Sequence, residues 1–323
     1  MDGPSAPLTA APLLEASLPG ASVALPGAEG RRQPVSRTRQ LISDYVELTK
    51  PKVQSLLLLT TIAAMYVAGD PSPLLVALTC LGGYLSAGGA GAVNHWFDRD
   101  IDARMARTAT RPIPAGRISP AAALAFGCGL AALSFLELSL TVNLLAASLS
   151  FAGFLGYVLV YTMWLKRRTP QNIVIGGAAG AVPPLVGWAA VTGSVSGTAV
   201  LLFFIVFFWT PPHFWALSLL MKEEYAKVGV PMLPVVRGEA ETRRQILLYA
   251  VLLYAVTQLP FCAGGFGGIY LAASLALGFG FIGGAVRLYR RADRRSALQL
   301  YLFSLAYLAL LFCAMVLDAH LHL

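Results

Sequence analysis

The amino-acid sequence predicts an all-α polytopic membrane protein with nine transmembrane helices. Of its 323 residues, 57% are hydrophobic and only 12% are charged, whereas an ordinary soluble domain is about one quarter charged. The mean hydropathy of +0.67 agrees with these proportions. The apolar residues also form nine runs, most of them long enough to cross the hydrocarbon core of a bilayer.

The nine predicted spans follow one another after a polar N-terminal part. They lie at 53–69, 73–97, 120–136, 140–164, 171–191, 198–221, 245–263, 266–288 and 296–318. The second span carries five glycines just before its end, at positions 82, 83, 88, 89 and 91. Because small residues let membrane helices approach closely, we expect this helix to be tightly packed.

The connections between the spans predict the orientation. Lys and Arg cluster at 50–52, 99–117, 166–168, 222–244 and 287–295, and are absent from 70–72, 137–139, 192–197 and 263–265. Every second connection is therefore basic, as the positive-inside rule expects of nine spans with a cytoplasmic N-terminus. Orientation and anionic ligands explain the net charge of +8, so no nucleic-acid partner is predicted.

The N-terminal part, residues 1–40, is predicted to be a disordered cytoplasmic tail, and residues 41–323 form the membrane domain. The tail is rich in Pro, Ala, Gly and Ser, a composition that does not support a packed core. It carries Asp2, Glu15 and Glu29 and no basic residue before Arg31. Secretory signals and mitochondrial presequences have the opposite charge pattern, so the tail favours a bacterial inner membrane.

The connection after the second span is the most polar stretch between two apolar runs. Residues 94–117 contain three aspartates, one asparagine and five arginines. If the second helix continues through them, Asn94, Asp98 and Asp102 drift around its axis by only about 80° and share one face. Two carboxylates and an amide oxygen on one face suit a hard divalent cation, Mg²⁺.

Arginines follow these acids at similar spacing. Arg104, Arg107 and Arg111 end at Pro112, which is expected to stop the helix. Carboxylates followed by guanidinium groups indicate a metal that carries a polyphosphate. The alternative is a charged loop that only orients the protein, but acidic residues contribute little to topology, so the aspartates argue against it.

Two further segments lie at the predicted cytoplasmic face. In LTKPK, residues 48–52, Lys52 either anchors the first span at the interface or faces the same pocket as the aspartates. In YTMWLKRRTPQN, residues 161–172, a turn at Pro170 could aim Tyr161 and Lys166 at one ligand. The alternative for this second segment is a set of charges that only determine topology.

The sixth predicted span ends in WTPPHFWALSLLMKEEYAKVGVPMLP, residues 209–234. Tandem prolines at 211 and 212 are expected to break the helix and to line a cavity. His213 lies between Trp209 and Trp215 in the sequence, which indicates a ligand pocket; a hydrogen-bonded core histidine is the alternative.

A second polar cluster, KEEY at 222–225, follows at the same face. The last two spans show no comparable group of polar residues. Asp70, Glu137 and Asp318 lie at the opposite end and are expected to be solvated.

The predicted site suits a ligand with a diphosphate head and a lipid tail. The sequence lacks the local motifs of serine hydrolases, zinc proteases, P-loop proteins and dinucleotide-binding folds. Mg²⁺ and arginines would neutralise a diphosphate and improve it as a leaving group. An allylic diphosphate would then ionise to a carbocation, which a dry pocket protects from water and aromatic faces stabilise.

These segments resemble the haem-modifying branch of the UbiA superfamily of intramembrane prenyltransferases, from about Leu48 to the C-terminus. The NxxxDxxxD pattern at Asn94, Asp98 and Asp102 is similar to the first aspartate motif of the superfamily. MARTATRP at 105–112, YTMWLKRRTPQN at 161–172 and the stretch at 209–234 are similar to its haem-modifying branch.

The resemblance implies nine helices around a central cavity and Mg²⁺ as the cofactor. It implies farnesyl diphosphate as the donor, haem B as the acceptor within the lipid bilayer, and haem A synthase as a downstream partner. A porphyrin vinyl group would attack the farnesyl carbocation, and water would complete a hydroxyethylfarnesyl group.

The resemblance also implies residue roles. Asp98 and Asp102 match the carboxylates of the metal–diphosphate site, and Asn94 matches the amide beside them. Arg107, Arg111, Tyr161, Lys166 and Arg167 match diphosphate-binding positions, and Lys52 and Lys222 join them as basic residues at the same membrane face. KEEY takes the place of a second DxxxD-like motif, so Glu223 and Glu224 are candidate ligands of a second metal. Trp209, His213 and Trp215 are candidates for the haem pocket.

Three other functions fit parts of the sequence. A UbiA-type enzyme that prenylates a phenolic acid would need the same aspartates but not the stretch around His213. A lipid or ion transporter commonly has polar breaks near the bilayer midplane, whereas these acids lie at one membrane face. A haem-delivery scaffold without catalysis would not need Asp98 and Asp102.

Overall fold

The computed structural model describes residues 36–321, which are helical apart from their connections. A first helix, α1 (Arg37–Leu48), precedes the predicted spans and is mostly exposed, with Asp44 and Leu48 buried. Residues 1–35 of the predicted tail lie outside the described residues, and residues 37–40 form the first turn of α1.

Nine membrane spans follow within the described residues, as predicted. In chain order the helices are α2 (Pro51–Ala68), α3 (Pro73–Phe97), α4 (Arg99–Asp102), α5 (Pro120–Thr141), α6 (Leu144–Leu155), α7 (Asn172–Gly180), α8 (Pro183–Thr192), α9 (Gly197–Leu220), α10 (Lys222–Lys227), α11 (Leu233–Val236), α12 (Gly238–Cys262), α13 (Gly268–Arg291) and α14 (Arg294–Leu321). A π-helix, Gly156–Leu165, extends α6 to complete the fourth span, and α7 with α8 forms the fifth. The short helices α4, α10 and α11 lie in connections.

Side-chain caps fix where several spans begin. Ser72 and Ser119 accept hydrogen bonds from the backbone N–H groups of Leu75 and Ala122, each across 3.2 Å. A proline follows each serine as the first helical residue, where its missing N–H costs nothing. Asn143 caps α6 in the same way, by accepting from Ala146 N–H across 2.8 Å.

Glycines set the closest contacts between the spans. A Cβ atom on Gly89 of α3 would lie 2.6 Å from the carbonyl oxygen of Gly127 in α5. A Cβ atom on Gly187 of α8 would lie 2.2 Å from the carbonyl oxygen of Thr61 in α2. These backbones approach so closely because the facing residue has no side chain. The tight packing predicted for the second span is therefore confirmed.

Tandem prolines act differently in the fifth and sixth spans. The predicted break at Pro211 and Pro212 is wrong, because α9 runs through both of them from Gly197 to Leu220. The preceding residue, Thr210, donates its hydroxyl to the carbonyl oxygen of Val206 across 2.8 Å. Membrane helices tolerate proline where side chains and neighbouring helices compensate for the lost backbone bonds. The fifth span is instead interrupted at residues 181–182, before the tandem prolines Pro183 and Pro184.

The connections that the sequence predicts as cytoplasmic gather at one end of the bundle. There Lys166, after the fourth span, contacts Asp98, after the second. At the opposite end the predicted solvation of Asp318 is wrong: its side chain is 2% exposed and accepts from the backbone N–H groups of Gly267 and Tyr270. Asp318 thus satisfies donors at the start of α13, which have no partner within that helix.

Candidate functional site

The acidic motif lies where α3 ends. The N–H of Asp98 donates to the carbonyl oxygen of Asn94 across 2.9 Å, and the N–H of Asp102 donates to that of Asp98 across 2.8 Å. This continuity keeps Asn94, Asp98 and Asp102 at four-residue spacing, and their exposed fractions are only 4%, 1% and 4%. Helical structure stops at Asp102, however, so the predicted continuation to Pro112 is wrong, and turns carry residues 103–117.

Asp98 is the centre of a buried polar network. Its Oδ2 atom accepts from Lys166 Nζ and, across 2.8 Å, from Asn94 Nδ2. Arg167 Nη2 lies 3.4 Å from Asp98 Oδ1. A buried carboxylate needs such partners because its desolvation is costly. The structure therefore brings together four of the predicted site residues, from the ends of the second and fourth spans.

Arg167 is held mainly by a neighbouring carboxylate. Its two terminal nitrogens donate to the two oxygens of Asp100, across 2.8 and 2.6 Å. This bidentate pair lowers the pKa of Asp100 and raises that of Arg167. The guanidinium also lies over the ring of Phe97, with 4.7 Å from its central carbon to the ring centroid.

Asp102 pairs with a different cation. Arg111 Nη1 lies 2.6 Å from Asp102 Oδ2, and Thr108 donates its hydroxyl to the backbone carbonyl of Asp102 across 2.9 Å. The turns after α4 fold Arg111 back onto Asp102 in this way. Arg107 is exposed, and its charge helps to lower the pKa of Glu224, which places it beside the second cluster.

Of the two lysines in LTKPK, Lys50 rather than the predicted Lys52 reaches the acidic motif. Its Nζ donates to Asn94 Oδ1 across 2.6 Å, whereas Lys52 is exposed at the cavity mouth. Lys50 precedes Pro51 at the start of α2 in a left-handed backbone conformation, with φ and ψ both 54°. Burial lowers the pKa of Lys50 to about 7, and the nearby charges of Arg111 and Lys166 add to this effect. Proline is favoured as the first residue of a helix, so Pro51 could have indicated that α2 begins there and that Lys50 is the residue just before it.

Only part of the second cluster, KEEY at 222–225, contacts the segment that follows the acidic motif. Glu224 Oε2 accepts from the backbone N–H of Ala106 across 3.1 Å, while its Oε1 accepts from Lys227 Nζ across 3.0 Å. These two donors lower the pKa of Glu224. Glu223 is exposed, and Lys222 Nζ lies 2.9 Å from Glu239 Oε1. The structure thus pairs Lys222 with Glu239 and does not bring it to the predicted diphosphate group.

A cavity of about 800 Å³ opens beside this network. Lys50 and Lys52 line its mouth, Tyr157 and Tyr161 from the π-helix line its wall, and Gly176 leaves room for Tyr161. A Cβ atom on Gly176 would lie 2.4 Å from the Tyr161 ring. The rest of the lining is mainly aliphatic and aromatic, from α2, α3, α6, α7, α8, α9 and α14. Such a volume lies in the range of small-molecule sites.

Two of the three predicted haem-pocket residues line this cavity. Trp209 and His213 are four residues apart and share a face of α9, and their rings stack with centroids 4.2 Å apart. Trp215 is two residues further, about 200° around the helix from His213. It packs against Tyr249 instead, so its assignment to this pocket is wrong.

The last span completes the wall around His213. The hydroxyl of Ser304 lies 2.6 Å from His213 Nδ1, and the ring of Tyr301 stacks on the imidazole with centroids 5.0 Å apart. Trp209 Nε1 donates to the backbone carbonyl of Ser304 across 2.8 Å. The sequence singled out no residue of the last two spans for the site, and Ser304 was therefore missed; serine is too common in membrane helices to signal such a role.

The donor set around Asp98 fits a hard cation. The carboxylates of Asp98 and Asp102 and the amide of Asn94 are oxygen donors of the kind that Mg²⁺ binds, usually with substrate phosphates. Within residues 36–321, no group of three or more His, Cys, Asp and Glu side chains is arranged to hold a metal by itself. Both carboxylates instead accept from cations, Lys166 and Arg111. The metal role of Asp98 and Asp102 stays a prediction.

Comparison with known proteins places the sequence among bacterial relatives. Protoheme IX farnesyltransferase of Symbiobacterium thermophilum is 57% identical over 283 residues, which cover 86% of this chain and 95% of that protein. The protein of the same name from Chloroflexus aurantiacus is 54% identical over 290 residues, 89% of this chain. The chain spans about half the length of the Chloroflexus protein, 49% of it.

Solved structures share the fold. A digeranylgeranylglyceryl phosphate synthase structure superposes with a TM-score of 0.72 over 87% of this chain and 99% of that one, at 21% identity. A UbiA homologue from Archaeoglobus fulgidus, bound to DMAPP and Mg²⁺, gives a TM-score of 0.61 over 84% and 99%, at 16% identity. The profile of the UbiA prenyltransferase family matches residues 57–311. The chain therefore belongs to the UbiA prenyltransferase family.

Proposed function

We propose that the protein transfers a farnesyl group from farnesyl diphosphate to a vinyl group of haem B, giving haem O. The observation that carries this proposal is a pair of buried carboxylates, Asp98 and Asp102, matched with Lys166 and Arg111 beside an apolar cavity. The names of the 51–57% identical relatives support the donor and the acceptor. We further propose a bacterial inner membrane, with the N-terminus and the connections that carry the site on the cytoplasmic side.

The cations of the site are proposed to bind the diphosphate. Lys50, Lys166 and Arg111 each already contact a member of the acidic motif, so their charges converge on one place. Mg²⁺, held by Asp98 and Asp102 with Asn94, would neutralise the leaving diphosphate. Ligand binding would then let Lys166 and Arg111 exchange carboxylate oxygens for phosphate oxygens, and let Lys50 exchange the amide oxygen of Asn94. Phosphate oxygens are good acceptors of charge-assisted hydrogen bonds.

The cavity is proposed to hold the two apolar partners. Its aliphatic wall excludes water from a reactive allylic cation. Tyr157 and Tyr161 line it between the lysines at the mouth and Trp209 in α9, so aromatic faces are available to a developing positive charge. After the vinyl group has attacked, addition of water gives the hydroxyethylfarnesyl side chain. A haem A synthase that consumes this product is the proposed downstream partner.

The second cluster, KEEY at 222–225, is proposed not to bind a metal. Glu224 already accepts from Ala106 N–H and Lys227, and Glu223 is exposed, so one Mg²⁺ site is proposed rather than two. Glu224 instead fixes the turn that follows α4.

A product assay tests the proposal. Membranes that contain the protein receive haem B, farnesyl diphosphate and Mg²⁺, and the extracted haems are resolved by mass. We expect a haem heavier by one farnesyl group and one hydroxyl group, because the vinyl carbons are already present in haem B; this product should be absent with EDTA and with Asp98→Asn. If folded wild-type protein makes no such product, the haem acceptor is rejected. Prenylation of a phenolic acid by the same membranes would then assign the other acceptor class.

A further inference from the structure

His213 is the histidine that lines the cavity. Of the three histidines among residues 36–321, His95 is 2% exposed away from the cavity lining, and His320 is exposed at the opposite end of the bundle. His213 lies seven residues before the end of α9 at Leu220, about 10 Å of helix rise from the end that carries the acidic motif. It therefore faces the apolar interior below the proposed diphosphate site.

A chain of hydrogen bonds determines which nitrogen of His213 carries the proton. The hydroxyl of Ser304 donates to the backbone carbonyl of Tyr301 across 2.6 Å. A serine hydroxyl has one proton, so its contact with His213 Nδ1, also 2.6 Å, must have the imidazole as donor. Nδ1 is then protonated, and Nε2 carries a lone pair.

The environment holds that lone pair in one direction. Trp209 stacks on the imidazole at an interplanar angle of 18° and Tyr301 at 27°. The Ser304 contact fixes the Nδ1 edge, which leaves the Nε2 edge without a hydrogen bond to the described residues. A histidine whose Nδ1–H is bound by a neighbouring acceptor, with Nε2 open, has the arrangement found in metal-ligating histidines.

We propose that His213 Nε2 is an axial ligand of the iron of the acceptor porphyrin. This inference rests on the proposed function, because it needs haem as the substrate. A proximal histidine is a common axial ligand of haem iron. Because the lone pair lies in the imidazole plane, coordination would place the porphyrin across the ring edge. Because the rings of Trp209 and Tyr301 stack on the imidazole and hold it in place, a single bond from Nε2 to iron would fix the distance of the porphyrin from the proposed diphosphate site.

The test measures the ligand of bound haem by spectroscopy. The purified full-length protein in lipid nanodiscs receives haem B, and its visible absorption and resonance Raman spectra are recorded in the ferric and ferrous states. We expect an iron–histidine signature in the wild type, its loss in His213→Gly, and its return when imidazole is added to that variant. His320→Ala removes an imidazole outside the cavity and should leave the signature unchanged. An unchanged signature in His213→Gly would overturn the proposal.

Two further measurements separate this inference from the proposed function. Ser304→Ala removes the acceptor of Nδ1–H, so the iron–nitrogen stretching frequency should fall; an unchanged frequency counts against the inference even if His213→Gly fails to fold. The mass-resolved product assay runs beside each spectrum. Wild-type protein that makes the prenylated haem but binds haem without a histidine ligand would overturn the inference and leave the function standing. Wild-type protein that is folded, binds no haem and makes no product would reject both.

Discussion

Lys50 and Asn94 join the first two spans at the mouth of the cavity, through a hydrogen bond of 2.6 Å from Nζ to Oδ1. The lysine adopts a left-handed backbone conformation to do so, with φ of 54°. Non-glycine residues rarely adopt this conformation, and it costs roughly 1–2 kcal/mol. Its use here indicates that the position of the Lys50 charge matters more than local backbone preference.

Lys50→Gly should therefore weaken donor binding without harming the fold. Glycine accepts the left-handed conformation, so the variant removes the charge but not the backbone geometry. Because a hydrogen bond to a charged group contributes about 1.5–3 kcal/mol, the apparent KM for farnesyl diphosphate should rise roughly 10- to 100-fold. Lys52→Ala, at the exposed lysine nearby, should change it by less than about fivefold. If Lys52→Ala raised this KM more than Lys50→Gly does, Lys52 rather than Lys50 would be the diphosphate-binding lysine.

Asp98→Asn should lower kcat by about 100-fold or more, as expected when a group that stabilises developing charge is removed. The amide replaces the carboxylate in shape, so the fold is tested less severely than by alanine. Asp100→Asn is the matched control, because Asp100 lies between Asp98 and Asp102 in the sequence but its side chain is 55% exposed and pairs with Arg167. Product formation by mass and thermal unfolding in detergent check both variants. Equal losses in the two would remove the special role of Asp98.

Lys166→Ala should destabilise the ligand-free protein, because it leaves the buried Asp98 carboxylate without its nearest cation. Breaking a buried ion pair costs about 3–5 kcal/mol. Mg²⁺ alone should raise the Tm of this variant more than that of the wild type, because the buried Asp98 carboxylate, which has lost Lys166, gains a cation. Lys227→Ala, at an exposed ion pair with Glu224, is the control and should show the wild-type response. An equal Tm rise in Lys166→Ala and the wild type would contradict metal binding at Asp98.

Gly89→Ala should lower the stability of the protein by about 1–3 kcal/mol through overpacking. The added Cβ would lie 2.6 Å from the backbone oxygen of Gly127, and neither backbone can yield easily. Gly129→Ala is the control in α5, because its added Cβ meets nothing within 4 Å. Thermal unfolding of both variants measures the difference. Similar Tm values would mean that α3 and α5 can separate without cost.

Asp318→Ala should lower stability by about 1–2 kcal/mol, the usual cost of losing a helix-capping acceptor. Two backbone donors at the start of α13 would lose their partner in a site where water has little access. Asp70→Ala is the control at the same end, because its side chain is 95% exposed and 3.6 Å from His320. The control should change stability by less than about 1 kcal/mol. Thermal unfolding that ranks the two variants in the reverse order would refute the capping role.

Periodicity and apolar length were enough to predict the spans, because a bilayer imposes both on any helix that crosses it. The face shared by Asn94, Asp98 and Asp102 was also predictable, since four-residue spacing needs only local helical geometry. The pairing of Lys166 with Asp98 could only be suggested, because it depends on how the second and fourth spans pack.

The residues that the sequence misplaced or missed share one physical explanation: their positions depend on tertiary contacts. Trp215 and Lys222 are close in sequence to true cavity or motif neighbours, yet helix rotation and a competing carboxylate, Glu239, carry them elsewhere. Ser304 was missed because its contribution depends on a partner 91 residues away. The helix break predicted at Pro211 and Pro212 is absent from α9, because whether proline interrupts a membrane helix depends on the hydrogen-bond partners that neighbouring helices and side chains supply.

The contact between His213 and Ser304 has a consequence for the order in which the protein is made. Ser304 and Tyr301 belong to the final span, α14, and both help to enclose the imidazole that the sixth span contributes. The acidic motif and its cations, by contrast, are all present once residue 167 has been synthesised. During synthesis, the residues of the proposed diphosphate site would thus be present well before α14 closes the cavity around His213. If a prenyl donor ionised at that end before α14 had inserted, its cation would be open to water on the side that α14 covers, so we expect activity to require the insertion of α14.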